Sequence, residues 1–280
     1  MSGHTFRVVS QREVITHEEL TIGDITISKN IIFSLILLLL TFSELLAITV
    51  PTLGVISHSI LGIMLGILAA AFSRDSHSSK LLIAILPIPL VRIVSISAPL
   101  IQFTMMEWFL VMASLLFSAI VICIAIIGDP IEEYGFLLPR KSVIPLEMFV
   151  IGSGLILGYI EFQILNVDAI SLDTSPLGLL APLAALYLGT GLLEELLFRG
   201  IIQKHAIDAL GTVFGIGLTT LIFMIMHTGW QSFPDIIFVG IVGACFSIVV
   251  LHTRSLLGVS ISHALVNLSL FIIAPVHFAA

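Results

Sequence analysis

The chain has 280 residues, of which 58% are hydrophobic and 10% are charged, and its mean hydropathy is +1.18. Soluble domains carry about 25% charged residues, so this composition excludes an ordinary soluble fold and predicts an all-α, polytopic protein of the cell membrane. The net charge of −7 says little about partners, because most charges fall in short loops. No stretch resembles a basic nucleic-acid patch, so we expect no nucleic-acid partner and take the lipid bilayer as the environment of most side chains.

A short polar arm, residues 1–29, precedes the first apolar run, and its scattered valines and isoleucines indicate a small amphipathic or hairpin-like cap. Nine apolar runs follow, each near the roughly 20 residues that cross a bilayer: 30–50, 52–73, 81–103, 108–128, 144–165, 177–198, 212–229, 235–252 and 256–275. We therefore predict a bundle of nine spans, with N-terminal helices over 30–165 and a C-terminal core over 177–275. Eight spans remain an alternative, because only Pro51 and Thr52 separate the first two runs.

Basic residues fall in alternate connections between the predicted spans. They are Arg7, Arg12, Lys29, Arg74, Lys80, Arg140, Lys141, Arg199, Lys204 and Arg254. Cytoplasmic loops carry an excess of Lys and Arg, so this pattern predicts a cytoplasmic N-terminus and a C-terminus outside the cell. Merging the first two runs would break the alternation, which favours nine spans.

Three further charges, Glu44, Arg92 and Glu161, lie inside predicted spans. An ion pair of Arg92 with Glu44 that fixes helix packing is one interpretation, and contact with a substrate is the other. The remaining ionisable groups near loops and span ends are interpreted as solvated or interfacial. This set comprises Asp129, Glu132, Glu133, Asp168, His4, His17, His58, His77, His205, His252 and His277.

The stretch from Gly191 to Gly200 places three ionisable groups in an otherwise apolar run. Charges in such a setting cost several kcal/mol each unless they are paired. Glu195 and Arg199 are four residues apart and share a helix face, so they can pair, whereas Glu194 points about 100° away. The spacing predicts one carboxylate neutralised by its arginine and a second carboxylate free to act.

Two later runs repeat polar residues at helical spacing. Phe223 and His227 share one face, as do His263 and Asn267. Because each polar group needs a partner away from lipid, we expect a shared polar intramembrane cavity that opens to the cytoplasmic side. Its predicted lining is Glu194, Glu195, Arg199, His227, His263 and Asn267.

Two chemical arrangements fit this set of residues. A carboxylate in a dry site can act as the general base that activates water, with imidazole and amide donors facing the oxyanion. Alternatively, Glu194, His227 and His263 could ligate a catalytic zinc ion with an open position for water. Both arrangements hydrolyse an amide, and the residues alone do not choose between them.

The sequence from Glu194 to Arg199 resembles the EExxxR motif of the CAAX protease and bacteriocin-processing (CPBP) family of intramembrane proteases. Phe223 to His227 is similar to its FxxxH motif and His263 to Asn267 to its HxxxN motif. The resemblance implies that Glu194 and His227 activate water and that His263 and Asn267 stabilise the oxyanion, while Glu195 and Arg199 support them. It also implies an endopeptidase, metal-dependent or metal-free, that cleaves a membrane-associated protein or peptide at a membrane-proximal bond.

Two other functions fit an intramembrane polar site. One is a non-catalytic scaffold, or a bacteriocin-immunity type of protein that binds a peptide without cleaving it. The other is a proton-coupled transporter, because intramembrane carboxylates are common in proton relays. Such transporters favour inverted repeats, and the sequence contains no internal repeat.

Overall fold

The computed structural model describes residues 19–22, 25–73, 75–98, 103–170 and 182–278, which are mostly helical. The all-α prediction is therefore confirmed, with one small exception. Strands β1 (Glu19–Ile22) and β2 (Ile25–Ser28) pair antiparallel inside the predicted N-terminal arm. This pair agrees with the hairpin alternative for the arm, whose residues 1–18 lie outside the described part.

Ten helices form the bundle. The first six are α1 (Lys29–Thr49), α2 (Pro51–Ala71), α3 (Ser76–Ile85), α4 (Pro87–Ser97), α5 (Met105–Ile127) and α6 (Ile144–Leu165). The others are α7 (182–210), α8 (Thr212–Met226), α9 (Phe233–Thr253) and α10 (Leu257–Leu268). Helical segments Ser269–Ile273 and Ala274–Phe278 continue α10, and short 3-10 turns cover Ile131–Tyr134, Lys141–Val143 and Thr228–Trp230.

Within the described residues, 8 helical segments are long and apolar enough to cross a membrane, which shows a multi-pass membrane protein. Helices α3 and α4 form one of them, broken at Leu86 because Pro87 has no N–H to continue the ladder. The predicted span 177–198 is not among the eight. Its residues 177–181 lie outside the described part, and the rest begins α7, which carries the charged motif.

Helices α1 and α2 are separate and pack on each other as a tight hairpin, joined by Val50 alone. A Cβ atom on Gly54 would lie 2.4 Å from the Cα of Ala47, so only glycine permits this approach. The merged first span, which was the predicted route to eight spans, is therefore not observed.

Helix α10 occupies the centre of the bundle. In its span 61% of residues are buried, against 22–39% in the other seven spanning segments. Glu147, Gly154 and Gly158 of α6 approach Gly258, Ser262 and Val266 of α10 in that order, so the two helices run parallel. These helices are the fifth and ninth predicted spans. Because successive spans cross the bilayer in alternate directions, two odd-numbered spans must run parallel, as observed.

One end of the bundle gathers the charged loops. Lys29 pairs with Asp75 at 2.5 Å, and both Lys80 and Lys204 bind Asp129. The interpretation of Asp129 as solvated is wrong: its side chain is 13% exposed, and the two lysines hold its pKa below the usual value although burial alone would raise it. Which side of the membrane this end faces stays a prediction.

The interpretation of His58 and His205 as solvated or interfacial is also wrong, because both side chains are fully buried. His58 lies beside Glu44, and the His205 ring packs edge-on to Tyr134. Burial, together with the neighbouring Lys204 charge, lowers the pKa of His205 to about 4. Proximity to a span end does not reveal which face a residue occupies, and these two residues face the packed interior.

Candidate active site

The EExxxR motif lies in a helix with uneven geometry. Glu194 and Glu195 belong to a three-residue α-helical segment, Leu193–Glu195, between two π-helical segments, Ala185–Leu192 and Leu196–Ile202. π-Helical turns are rare and occur frequently at functional sites, because they rotate side chains away from the regular α-helical positions. Arg199 lies in the second of these under-wound segments.

Glycine brings α7 against the central helix. A Cβ atom on Gly191 would lie 2.7 Å from the carbonyl oxygen of Ser260, so the α7 and α10 backbones almost touch at this point. Small residues permit such close packing between membrane helices. The approach lies one turn from both Glu195 and His263, and it therefore places their side chains within hydrogen-bonding distance.

Glu195 connects two of the motifs. Its Oε1 accepts a hydrogen bond from Arg199 Nη1 at 2.9 Å, as the i,i+4 spacing indicated, and another from His263 Nδ1 at 2.8 Å. Arg199 also donates to the Gly243 carbonyl at 3.2 Å and stacks on the Phe223 ring at 4.1 Å. Glu195 and Arg199 are buried, so the pair is neutralised inside the protein.

The contact between Glu195 and His263 fixes the tautomer of the imidazole. A carboxylate only accepts hydrogen bonds, so Nδ1 carries the proton and Nε2 of a neutral ring keeps its lone pair. Nε2 lies 3.9 Å from Glu194 Oε2. The Glu194 side chain is 28% exposed, in contrast to the buried Glu195, and it is the carboxylate left without an arginine.

His227 is held by its own helix. Its Nδ1 lies 2.9 Å from the Phe223 carbonyl oxygen, so Nδ1 is the donor and Nε2 is free to accept. The Phe223 ring lies 4.6 Å from the His227 ring and 6.3 Å from the His263 ring, which makes it the spacer between the two histidines. Among the described residues, Glu194 forms an ion-pair contact with His263 and none with His227.

Asn267 shares a face of α10 with His263, as predicted, and it donates from Nδ2 to the Thr190 hydroxyl at 2.8 Å. Thr190 in turn donates to the Leu186 carbonyl. Thr190 was not among the residues predicted from the sequence, although its position one turn before Glu194 on the same helix was a usable signal. The third motif is therefore anchored to α7 twice, through Glu195 and through Thr190.

The predicted cavity around all six polar residues is not shown. A cavity of about 610 Å³ does lie at the charged end of the bundle, where Lys204 and Arg254 contribute to its wall. Of the six predicted lining residues, only Arg199 reaches it. Two of the motif side chains instead have direct hydrogen-bond partners on α7: His263 bonds to Glu195, and Asn267 bonds to Thr190.

Glu161 extends the site from the N-terminal half of the chain. It is buried on α6, one turn beyond Gly158, and it interacts electrostatically with His263 and Glu194. It also interacts with Asp235, a fully buried carboxylate near the start of α9. The sequence indicated that Glu161 was unusual but contained no signal for these neighbours, which come from three other helices.

The donor atoms near the motifs bear on the zinc alternative. Zinc needs three convergent protein ligands at about 2.0–2.2 Å for nitrogen and oxygen. Among the described residues, no three His, Cys, Asp or Glu side chains converge in this way. Zinc ligation by Glu194, His227 and His263 stays a prediction.

Comparisons with known proteins agree with the motifs. Residues 176–269 match a family model described as type II CAAX prenyl endopeptidase Rce1-like. Searches of curated proteins and of solved structures gave no match. The matched segment contains all three motifs, and residues before 176 lie outside it. The resemblance to the CPBP family is thus confirmed: residues 176–269 form a region similar to the Rce1-like type II CAAX prenyl endopeptidases, a family of membrane proteases.

Proposed function

We propose that the protein is an intramembrane endopeptidase that hydrolyses a membrane-proximal peptide bond in a membrane-associated protein or peptide. The observation that carries the proposal is the position of Glu195, which binds Arg199 and His263 at once. This leaves Glu194 as the free carboxylate beside an oriented imidazole. The similarity of residues 176–269 to CAAX prenyl endopeptidases supports the same reaction class and suggests a substrate with a prenylated C-terminal cysteine.

Glu194 acts as the general base. The attacking water donates one proton to Glu194 Oε2 and the other to the Nε2 lone pair of His227. His263 Nε2 lies 3.9 Å from Glu194 Oε2, beside the reacting groups, where it can face the oxyanion. The water oxygen attacks the scissile carbonyl carbon while Glu194 takes the proton. The C–N bond then breaks, and Glu194 returns that proton to the leaving amine, so the products are an acid and an amine.

The other motif residues orient the reacting groups. His227 offers an Nε2 lone pair, which suits a second acceptor for the attacking water rather than a donor. Asn267 keeps one amide N–H beyond its bond to Thr190, and this donor suits the oxyanion. Protonated His263 would also donate from Nε2, with Glu195 stabilising the charge.

The test uses purified full-length protein in lipid nanodiscs and peptides ending in a CAAX sequence, with and without an isoprenoid on the cysteine. We expect cleavage, read by mass spectrometry, and a loss of about 100-fold or more for Glu194→Gln, as is typical when a general base is removed. Asp168→Asn, an exposed carboxylate after α6, is the matched control and should leave the rate unchanged.

Two outcomes would overturn the proposal. Full activity of Glu194→Gln would remove the mechanism. Binding of the peptides without cleavage by the wild-type protein would favour the non-catalytic peptide-binding alternative. Metal analysis of the active protein, combined with a chelator, separates the zinc mechanism from the metal-free one.

A further inference from the structure

A second buried ionic cluster is formed by three N-terminal helices. Glu44 of α1 accepts hydrogen bonds from two nitrogens of Arg92 of α4, the Nε contact being 2.6 Å. Nε2 of His58 on α2 lies 3.1 Å from Glu44 Oε1. Glu44 and His58 are fully buried, while the Arg92 side chain is 15% exposed. All three residues lie outside the segment that matches the family.

The cluster lies at the end of the helix that carries His227. Helix α8 ends at Met226, and the 3-10 turn that follows packs against α1. There the Thr228 hydroxyl lies 3.5 Å from Glu44 Oε2 and 2.8 Å from the Ile225 carbonyl oxygen. Arg92 is near enough to interact electrostatically with His227.

His227 cannot adjust its ring independently of this end of the helix. Its Nδ1 is bonded to the Phe223 carbonyl, so the direction of Nε2 follows the last turn of α8. Thr228 is the next residue and is in contact with the cluster through Glu44. Any shift of Glu44 relative to α8 is therefore transmitted to the imidazole within one residue.

Helix packing alone does not explain why charged side chains, rather than apolar ones, join these three helices. Replacing a buried ion pair by apolar side chains of similar volume is often neutral or stabilising, so an ion pair is a weak way to join three helices in lipid. Its placement beside His227 gives a reason for charge at this point, because a bidentate Arg–carboxylate pair fixes geometry as well as distance.

We propose that Glu44, Arg92 and His58 form a positioning element for His227 that acts through Thr228, so that the N-terminal helices complete the active site of the matched segment. The inference rests on the proposed function for its kinetic test. It assigns no direct contact with substrate to these residues. Their role is to hold the end of α8, and hence Nε2 of His227, in the orientation that the reacting water requires.

The kinetic test compares two variants of one residue. Thr228→Val removes the hydroxyl and keeps the shape, and we expect kcat to fall about tenfold with KM within about twofold. Thr228→Ser keeps the hydroxyl and should retain wild-type kcat. Glu44→Gln should lower kcat by a similar factor. The double variant Glu44→Gln/Thr228→Val should be no worse than either single variant, because both changes remove one coupling.

A partly buried ion pair supplies the structural control. Lys29 and Asp75 pair at 2.5 Å at the charged end, where they contact none of the motifs. Lys29→Met/Asp75→Asn should change the melting temperature without changing kcat per folded molecule. If the Glu44 and Thr228 variants also change only the melting temperature, the positioning role is overturned.

A further readout does not need protease activity. Diethyl pyrocarbonate modifies the free nitrogen of neutral histidine, and mass spectrometry measures the rate at His227 relative to the exposed His77. We expect at least a threefold change at His227 in Glu44→Gln and Thr228→Val, and none in the Lys29/Asp75 control. An unchanged rate overturns the inference. A changed rate in a protein that cleaves no peptide supports it and overturns only the proposed function.

Discussion

At Glu195 one carboxylate oxygen accepts hydrogen bonds from both Arg199 and His263, and the carboxylate is fully buried. Removing one partner of a buried ion pair leaves an uncompensated charge, which is far more costly than removing both. Glu195 therefore has a different role from its neighbour Glu194, although the two are chemically identical and adjacent in sequence.

Glu195→Ala is expected to destabilise the protein by about 3–5 kcal/mol, because Arg199 would remain buried without a counter-charge. The double variant Glu195→Met/Arg199→Met should recover most of that stability but not the activity, since His263 would lose its orienting partner. Thermal unfolding in detergent and the peptide assay measure the two effects. Glu132→Ala, on an exposed turn, is the control. Equal stability of Glu195→Ala and this control would contradict the assignment.

Individual residues were predictable from sequence to different degrees. The pairing of Glu195 with Arg199 followed from their spacing on one helix, and the structure contains it. The bond from His263 to Glu195 did not follow, because the two residues are 68 positions apart and only tertiary packing joins them. The pair of Glu44 with Arg92, named as one interpretation, is present, but its position beside Thr228 had no signal in the sequence.

Among the elements, the parallel contact of α6 with α10 places the third motif. Gly154 and Gly158 allow the helices to approach closely: a Cβ atom on Gly158 would lie 2.2 Å from the Val266 carbonyl oxygen. Glu161 lies on the same face and faces His263 for that reason. The approach of these two helices therefore controls both the depth and the neighbours of His263.

Gly158→Ala is expected to force α6 away from α10 and to lower both stability and activity, with a destabilisation of about 1–3 kcal/mol from overpacking. Gly152→Ala on the same helix is a matched control, because a Cβ atom there meets nothing within 4 Å. Alanine raises helix propensity equally at both positions. Melting temperatures that change by the same amount in the two variants would contradict close packing at Gly158.

The order and type of the elements followed from hydropathy, since runs of about 20 apolar residues have no alternative to a helix in lipid. The π-helical segments around Glu194 did not follow, because ridges and grooves of neighbouring helices decide where a helix is under-wound. The contact of His263 with Glu195 did not follow either, because it depends on how closely the helices pack. The cavity expected around the motifs stays a prediction. Periodicity assigns faces to helices, but it does not give the distance between two faces.

Over the whole molecule, the charged end connects helices that are distant in sequence. Asp129 binds Lys80, which lies between the second and third predicted spans, and Lys204, near the end of α7. Fully buried His205 lies 3.7 Å from the same carboxylate. This layer joins the N-terminal helices to the helix that carries the EExxxR motif.

Acid is expected to destabilise the folded protein through His205, whose pKa is lowered to about 4 by burial and by Lys204. An unfolded histidine titrates near 6.5, so between about pH 6.5 and 4 the unfolded chain binds a proton that the folded protein does not. Stability should therefore fall as the pH falls through this range, by at most about 3 kcal/mol. Melting temperatures of wild type and His205→Gln measured from pH 7 to 4 test this, and parallel curves would contradict it.

The orientation of the bundle is a separate prediction. The charged end contains the basic loops, so it should face the cytoplasm. Lys141→Cys at that end and Asp168→Cys beyond the other end of α6 report on the two sides, after Cys245 has been replaced by Ser. A membrane-impermeant maleimide added to intact cells should label position 168 and reach position 141 only after permeabilisation. The reverse pattern would contradict the predicted topology.

The bond between Glu195 and His263 has a consequence for biosynthesis. During translation Arg199 emerges only four residues after Glu195, so the acidic group enters the bilayer already neutralised. His263 lies on α10, which follows α1 to α9 in the chain and is synthesised after them. The nascent chain therefore inserts with Glu195 already neutralised, and the contact that orients His263 in the proposed active site forms only once α10 has joined the bundle.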